Sequence, residues 1–164
     1  TYRTLGGRIA DLDALLAALG LRDLAATGHP LITLGHDWGG VVSLGWAARH
    51  PELVAGVATL NTAVHQPEGA PIPAPLQAAL AGPVLPASTV TTDAFLSVTT
   101  SLATPALDRE TRAAYHLPYD TAARRGGVGG FVADIPADPG HGSHPELQRV
   151  GEDLAALGLS LIHI

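Results

Sequence analysis

The residues best placed to do chemistry lie in one run, Gly35-His36-Asp37-Trp38-Gly39-Gly40. The apolar stretch Leu31-Ile32-Thr33-Leu34 stops there and a helical pattern begins at once. A strand, a tight turn and a helix in that order form a nucleophile elbow, with Asp37 at its apex. Glycines flank such a residue because the turn is strained and brings backbone close to backbone. A carboxylate is ionised at neutral pH and needs no base to become a nucleophile. Its attack on carbon gives an ester, which a second step must cleave, usually through water activated by histidine. The backbone N–H of Trp38 is then half of an oxyanion hole, and its indole N–H a donor to a leaving anion. Two plainer roles compete: Asp37 as a helix cap and Trp38 as core. The strand before, the helix after and a second strand beyond favour the nucleophile.

The other polar candidates offer little. His36 precedes the apex and in an extended strand points to the opposite face. His29, His50 and His65 lie at turns, His141 and His144 in a Gly/Pro loop, and His163 near the end of the chain. None reads as a general base, no spacing suggests a metal site, and no cofactor is expected. The net charge is -6, all nine basic residues are arginine, and they form no patch, so nucleic acid is not an expected partner. There is no cysteine, hence no disulfide frame. No apolar stretch approaches the ~20 residues of a membrane span, and no signal-peptide pattern follows Thr1, so a cytoplasmic location is expected.

The elements that must position Asp37 follow from periodicity. Leu5, Ile9, Leu12, Leu16 and Leu19 mark one helix face, with Thr4 as N-cap and Gly20 as terminator. Residues 31–34 predict a strand buried on both faces, and residues 40–46 a helix whose small residues let it lie close to the sheet. Residues 53–60 predict a second buried strand, giving a βαβ unit with Asp37 and Asn61 at carboxyl ends, where ligands bind in open sheets. Residues 66–86 read as an irregular excursion, 92–102 as a helix, and Thr104-Pro105 as the opening of a helix to Tyr115. A helical piece with a flexible glycine centre follows at 117–135, a loop at 136–145, and an amphipathic helix carrying Leu147, Val150, Leu154 and Leu157. The fold class is α/β: a partial parallel-sheet core at 1–62, a helical cap at 63–146 and a helix returning to the core at 147–158. Residues 159–164 match a translated transposon sequencing adaptor, so the native chain is expected to be cut near Gly158.

With these motifs in hand, the chain resembles the haloalkane dehalogenase-like branch of the α/β-hydrolases. The resemblance runs from Tyr2 to Gly158 and rests on Gly-His-Asp-Trp-Gly-Gly at 35–40, Arg-His-Pro-Glu at 49–52 and Leu-Asn-Thr at 60–62. Ala114-Tyr115-His116-Leu117-Pro118-Tyr119 and Phe131-Val132-Ala133-Asp134-Ile135-Pro136 are similar to that family's cap signatures. It implies a nucleophile at Asp37 and a leaving-group contact at Trp38, with Asn61, Phe95 and Tyr115 at a small hydrophobic substrate. Asn61 stands where some dehalogenases carry the catalytic acid, which asparagine cannot be, so acid and base would lie outside this chain. No Trp follows Trp46 to clamp a halide. The wording of the cap most resembles the β-lactone decarboxylases of bacterial long-chain olefin biosynthesis, which implies a dialkyl β-lactone substrate, a cis-alkene product and enzyme partners of an olefin pathway. The alternatives are a haloalkane dehalogenase, an epoxide hydrolase with Tyr115 or Tyr119 as donor, and an inactive fragment or binding module. For Tyr119, cap packing is the preferred role.

Overall fold

The computed structural model describes residues 3–64 and 72–156, which divide into two compact units, 3–64 with 136–156 and 72–135. His65, residues 66–71 of the expected excursion, His163 and residues 157–164 lie outside the described residues.

In the first unit α1 (Leu5–Ala18) starts at Thr4, whose hydroxyl accepts from Gly7 N–H at 3.4 Å, and gives way at Gly20, with φ 69°. Gly20 also opens α2 (Leu21–Ala26), a helix the apolar spacing does not signal. Strand β1 (Leu31–His36) pairs in parallel with β2 (Val54–Leu60), and α3 (Trp38–Arg49) connects them. The register runs from Ile32 opposite Gly56 to His36 opposite Leu60. Helix α9 (His144–Ala156) closes the unit by packing on α3 and α1. Leu5, Ile9, Val41, Trp46 and Val150 are the centre of its core, and full burial of such a side chain contributes about 1.5–3 kcal/mol.

The polar side of α1 does more than meet solvent. Asp13 accepts from the Trp46 indole N–H at 3.0 Å and from Arg22 at 2.9 Å, and His50 lies 3.3 Å away. A fully buried indole thus has its N–H satisfied by a carboxylate on the neighbouring helix, as a buried donor requires.

Two expectations for this unit are corrected. The strands are not buried on both faces: Ile32 and Leu34 are 75% and 71% exposed and Leu60 55%. Alternate residues turn to alternate faces, and only the face carrying Leu31, Thr33 and Gly35 meets α3. Nor do the small residues of α3 all serve the sheet. A Cβ at Gly45 would lie 2.5 Å from Ile9 Cδ1 and 3.0 Å from Val150 Cγ2, so there the crowding comes from α1 and α9.

The second unit is narrower than the expected cap at 63–146, because residues from 136 on belong to the first: buried Ser143 accepts from Leu5 N–H at 3.0 Å, and Val150 is core. Every regular element described in this unit is helical. Over its described residues, 72–86, the irregular excursion is corrected to α4 (Ala74–Leu80) and the short α5 (Val84–Pro86), running into a π-helical turn, Ala87–Thr91. Helix α6 (Ala94–Ser101) follows. The next helix, α7 (Arg109–His116), does not open at Thr104-Pro105. Asp108 caps it instead, accepting from Thr111 N–H at 2.7 Å, and a carboxylate outranks threonine at that position.

Helix α8 (Ala122–Ala133) is continuous through its glycines. A Cβ at Gly129 would sit 2.5 Å from Val90 Cγ2, so this glycine permits close approach to the π-helical turn and not a flexible centre. Arg125, 9% exposed, donates to the carbonyls of Val90, Thr91 and Tyr119 at 2.9, 3.1 and 2.9 Å. Its guanidinium fork satisfies three carbonyls where the turn meets α8.

Candidate active site

The elbow forms where β1 ends. Asp37 has φ 50° and ψ -124°, and Asn61, one residue past the end of β2, has φ 43°. These are the two non-glycine residues with positive φ among those described. His36 and Leu60 are register partners, so the strained pair follows directly at one edge of the sheet. Such backbone costs about 1–3 kcal/mol per residue and persists only when its surroundings hold it.

Several contacts hold it. Asp37 N–H donates to Leu60 O at 3.2 Å, continuing the ladder one residue past the strand. Asp37 O accepts from Gly40 N–H at 3.0 Å and Val41 N–H at 3.3 Å, the first turn of α3, and from the Thr62 hydroxyl at 2.7 Å. A Cβ at Gly35 would lie 2.6 Å from Gly39 O, Gly40 Cα and Ser43 Oγ, and one at Gly40 would lie 2.6 Å from Thr62 side-chain atoms. Gly39 has nothing within 4 Å of such a position. The glycines the turn needs are therefore Gly35 and Gly40, not the pair flanking the apex symmetrically.

The Asp37 carboxylate is exposed and accepts no capping hydrogen bond from the helix that follows it. The capping role weighed against the nucleophile thus has no bond to support it. Trp38 is half-buried, packs against the core cluster, and has the Arg8 guanidinium carbon 5.8 Å from its ring centroid, within cation–π range. Asn61 is exposed beside Asp37.

The first unit therefore brings Asp37, Trp38 and Asn61 together. Phe95, half-buried on α6, and Tyr115, 58% exposed on α7, belong to the second unit. Tyr119 is half-buried and offers its carbonyl to Arg125. Of the histidines, His36 is exposed, His50 joins the Asp13 network, and His116 lies between Asp93 at 3.3 Å and Thr100 at 3.4 Å. No group of three or more His, Cys, Asp or Glu able to hold a metal occurs among the described residues, and none of their helices is long and apolar enough to cross a membrane.

Sequence reasoning missed Thr62 and Arg8. Thr62 was visible as the residue after Asn61 in Leu-Asn-Thr, but its bond to Asp37 spans 25 residues and needs the strand register to be seen. Arg8 stands on the polar face of α1, with no local signal that it would meet Trp38.

Comparison with known proteins bears on the fold. Residues 6–105 match the family model described as alpha/beta hydrolase fold. Two curated relatives are 32% identical: the cis-3-alkyl-4-alkyloxetan-2-one decarboxylases of Shewanella oneidensis and Xanthomonas campestris pv. campestris, matched over 157 and 153 residues and each over 92% of this chain. The chain spans about half their length, 46% and 49%. Among solved structures, haloalkane dehalogenase DbeA from Bradyrhizobium elkani superposes with TM-score 0.75 at 24% identity, over 95% of this chain and 54% of that one. A variant of haloalkane dehalogenase DatA from Agrobacterium tumefaciens gives TM-score 0.77 at 20% identity, over 98% and 54%. The structural likenesses speak for the fold alone. The chain belongs to the alpha/beta hydrolase fold family.

Proposed function

We propose that Asp37 is the nucleophile of an enzyme that forms an aspartyl ester and decarboxylates long-chain β-lactones to cis-alkenes. The observation that carries the reading is an exposed, uncapped carboxylate at a strained strand end. The two relatives named for an oxetan-2-one substrate, which is a β-lactone, supply the substrate class.

The chemistry closes without a co-reactant. An Asp37 carboxylate oxygen attacks the alkyl-bearing sp3 ring carbon bonded to the ring oxygen, forming the ester as that carbon–oxygen bond breaks and frees the substrate's carboxylate. Loss of carbon dioxide then sends an electron pair into the new double bond while the ester bond breaks, returning Asp37 as a carboxylate. Inversion in the first step and anti elimination in the second convert a cis-lactone into a cis-alkene. The Trp38 N–H and indole face the charge that develops, and Asn61 offers a polar contact beside it.

The second reading is a haloalkane dehalogenase or epoxide hydrolase, which the same carboxylate attack would serve. There the ester must be hydrolysed by activated water, and among the described residues neither Asn61 nor a histidine beside the elbow supplies a base. The second step of the lactone reaction needs the substrate's carboxylate held anti to the ester bond. This chain spans about half its relatives' length and is proposed to lack the surfaces that hold it so, stopping at the ester without steady turnover. The test offers a long-chain cis-dialkyl oxetan-2-one, a 1,2-dihaloalkane and an epoxide side by side, both to this chain and to a version extended to its relatives' length. Alkene from the lactone with the extended protein is expected; halide or diol release without alkene would contradict the reading.

A further inference from the structure

We propose that Thr62 is a positioning residue for the nucleophile, acting through its hydroxyl on the main chain of Asp37. The inference rests on the assignment of Asp37 as nucleophile and adds a residue to it.

An elbow residue at φ 50° has two polar main-chain groups to be held if its side chain is to keep one direction. The N–H of Asp37 is tied to Leu60 O at the end of β2. The carbonyl faces the start of α3, where the helix alone would leave it free to tilt with the first turn. Thr62 closes that freedom: its hydroxyl donates to Asp37 O at 2.7 Å, the shortest bond the apex makes. Both ends of the apex peptide are thereby attached to the same strand end, on either side of Asn61. Thr62 is half-buried, and its side chain fills the space a Cβ at Gly40 would need, so packing and hydrogen bonding locate the hydroxyl together.

The consequence is directional. A carboxylate attacks carbon efficiently only along a narrow approach, and a misplacement of about 1 Å can cost on the order of a hundredfold in rate. With the hydroxyl gone, the carbonyl keeps its two helical donors and the fold survives. The apex peptide is then held by β2 at one end only, and the carboxylate samples directions that do not meet the substrate.

The test uses this chain and β-propiolactone, the simplest oxetan-2-one. Carboxylate attack opens the ring and leaves the whole lactone on the protein as an ester, read by intact mass and placed by peptide mapping. Two pairs differ by one hydroxyl each: wild type against Thr62→Val, and Thr62→Ser against Thr62→Ala. Circular dichroism gives the folded fraction, so each rate is expressed per folded molecule and either pair suffices if the other does not fold. The expected result is labelling at Asp37 that falls at least about tenfold on loss of the hydroxyl in each foldable pair, with Thr62→Ser within a few-fold of wild type. Equal rates within the pairs would overturn the role of Thr62 while leaving Asp37 as nucleophile. A loss in Thr62→Ser as large as that in Thr62→Val would assign the effect to the methyl group against Gly40 and also overturn it. The Asp37→Asn variant separates the two claims: labelling there equal to wild type would remove the nucleophile assignment and Thr62 with it.

Discussion

Two places in the molecule bring backbone and helix unusually close, and they use the closeness differently. At the elbow, Gly35 and Gly40 let the start of α3 fold back on β1 and Thr62, and the result is positive φ at Asp37 with an exposed carboxylate. In the helical unit, Gly129 lets α8 lie against the π-helical turn, and the result is a buried Arg125 whose three guanidinium nitrogens each donate to a carbonyl. The first arrangement stores strain beside a charged group left open to solvent; the second pairs each guanidinium nitrogen with a carbonyl and hides the charge. Tight packing alone marks neither chemistry nor scaffold. Strain with exposure points to a site, and burial with satisfied hydrogen bonds points to structure.

The largest effect is expected at Gly35. A valine there would drive side-chain atoms into Gly39 O and Gly40 Cα, at a cost of about 3 kcal/mol or more as overpacking against backbone. Gly39→Ala should have the opposite sign and stabilise α3 by up to about 1 kcal/mol, since that position is open and helical. Urea unfolding of both variants reads the contrast directly; equal destabilisation would mean the crowding is misassigned. In the second unit, Arg125→Met strips three carbonyls of their donor and should cost about 2–3 kcal/mol, with loss of helical signal at lower urea than wild type. A variant as stable as wild type would show that the guanidinium does not pin the π-helical turn.

Smaller effects separate the helix starts. Thr4→Ala and Thr121→Ala each remove a hydroxyl that accepts from the first turn of its helix, and each should cost about 0.5–1 kcal/mol. The smallest concerns pH. The Thr111 backbone N–H holds the Asp108 carboxyl below the ordinary aspartate range. A lowered folded-state value means the cap contributes fully above the unfolded value and is lost as pH falls through the folded one. Helical signal from α7 should therefore weaken on acidification below the usual carboxylate range, and Asp108→Asn should flatten that part of the titration.

Much of the elbow was legible from residues alone, because its determinants are local. An apolar run, Gly-x-Asp and a small-residue helix occupy consecutive positions, and Thr4, Val150 and Leu154 announced their helices by capping and spacing. What escaped depends on partners distant in sequence. The exposure of Ile32 and Leu34 depends on what covers each sheet face, which an apolar run does not encode. The helices at 74–86 hid in a Pro- and Ala-rich stretch whose composition suits loops and helix starts alike. Thr104-Pro105 looked like a helix start until the carboxylate of Asp108, four residues on from Thr104, took the cap. Gly45 and Gly129 each answer to a side chain on another element, and the Thr62 hydroxyl reaches Asp37 only once β1 and β2 are in register.

The central claim is that the Asp37 carboxylate forms the ester. Incubation of this chain with a long-chain cis-dialkyl oxetan-2-one, followed by proteolysis and mass spectrometry of the peptide that contains residues 31–49, tests it most directly. One lactone equivalent is expected as an ester on Asp37, and none on that peptide in Asp37→Asn. An adduct carried by another residue of the chain, with Asp37 unmodified, would contradict it.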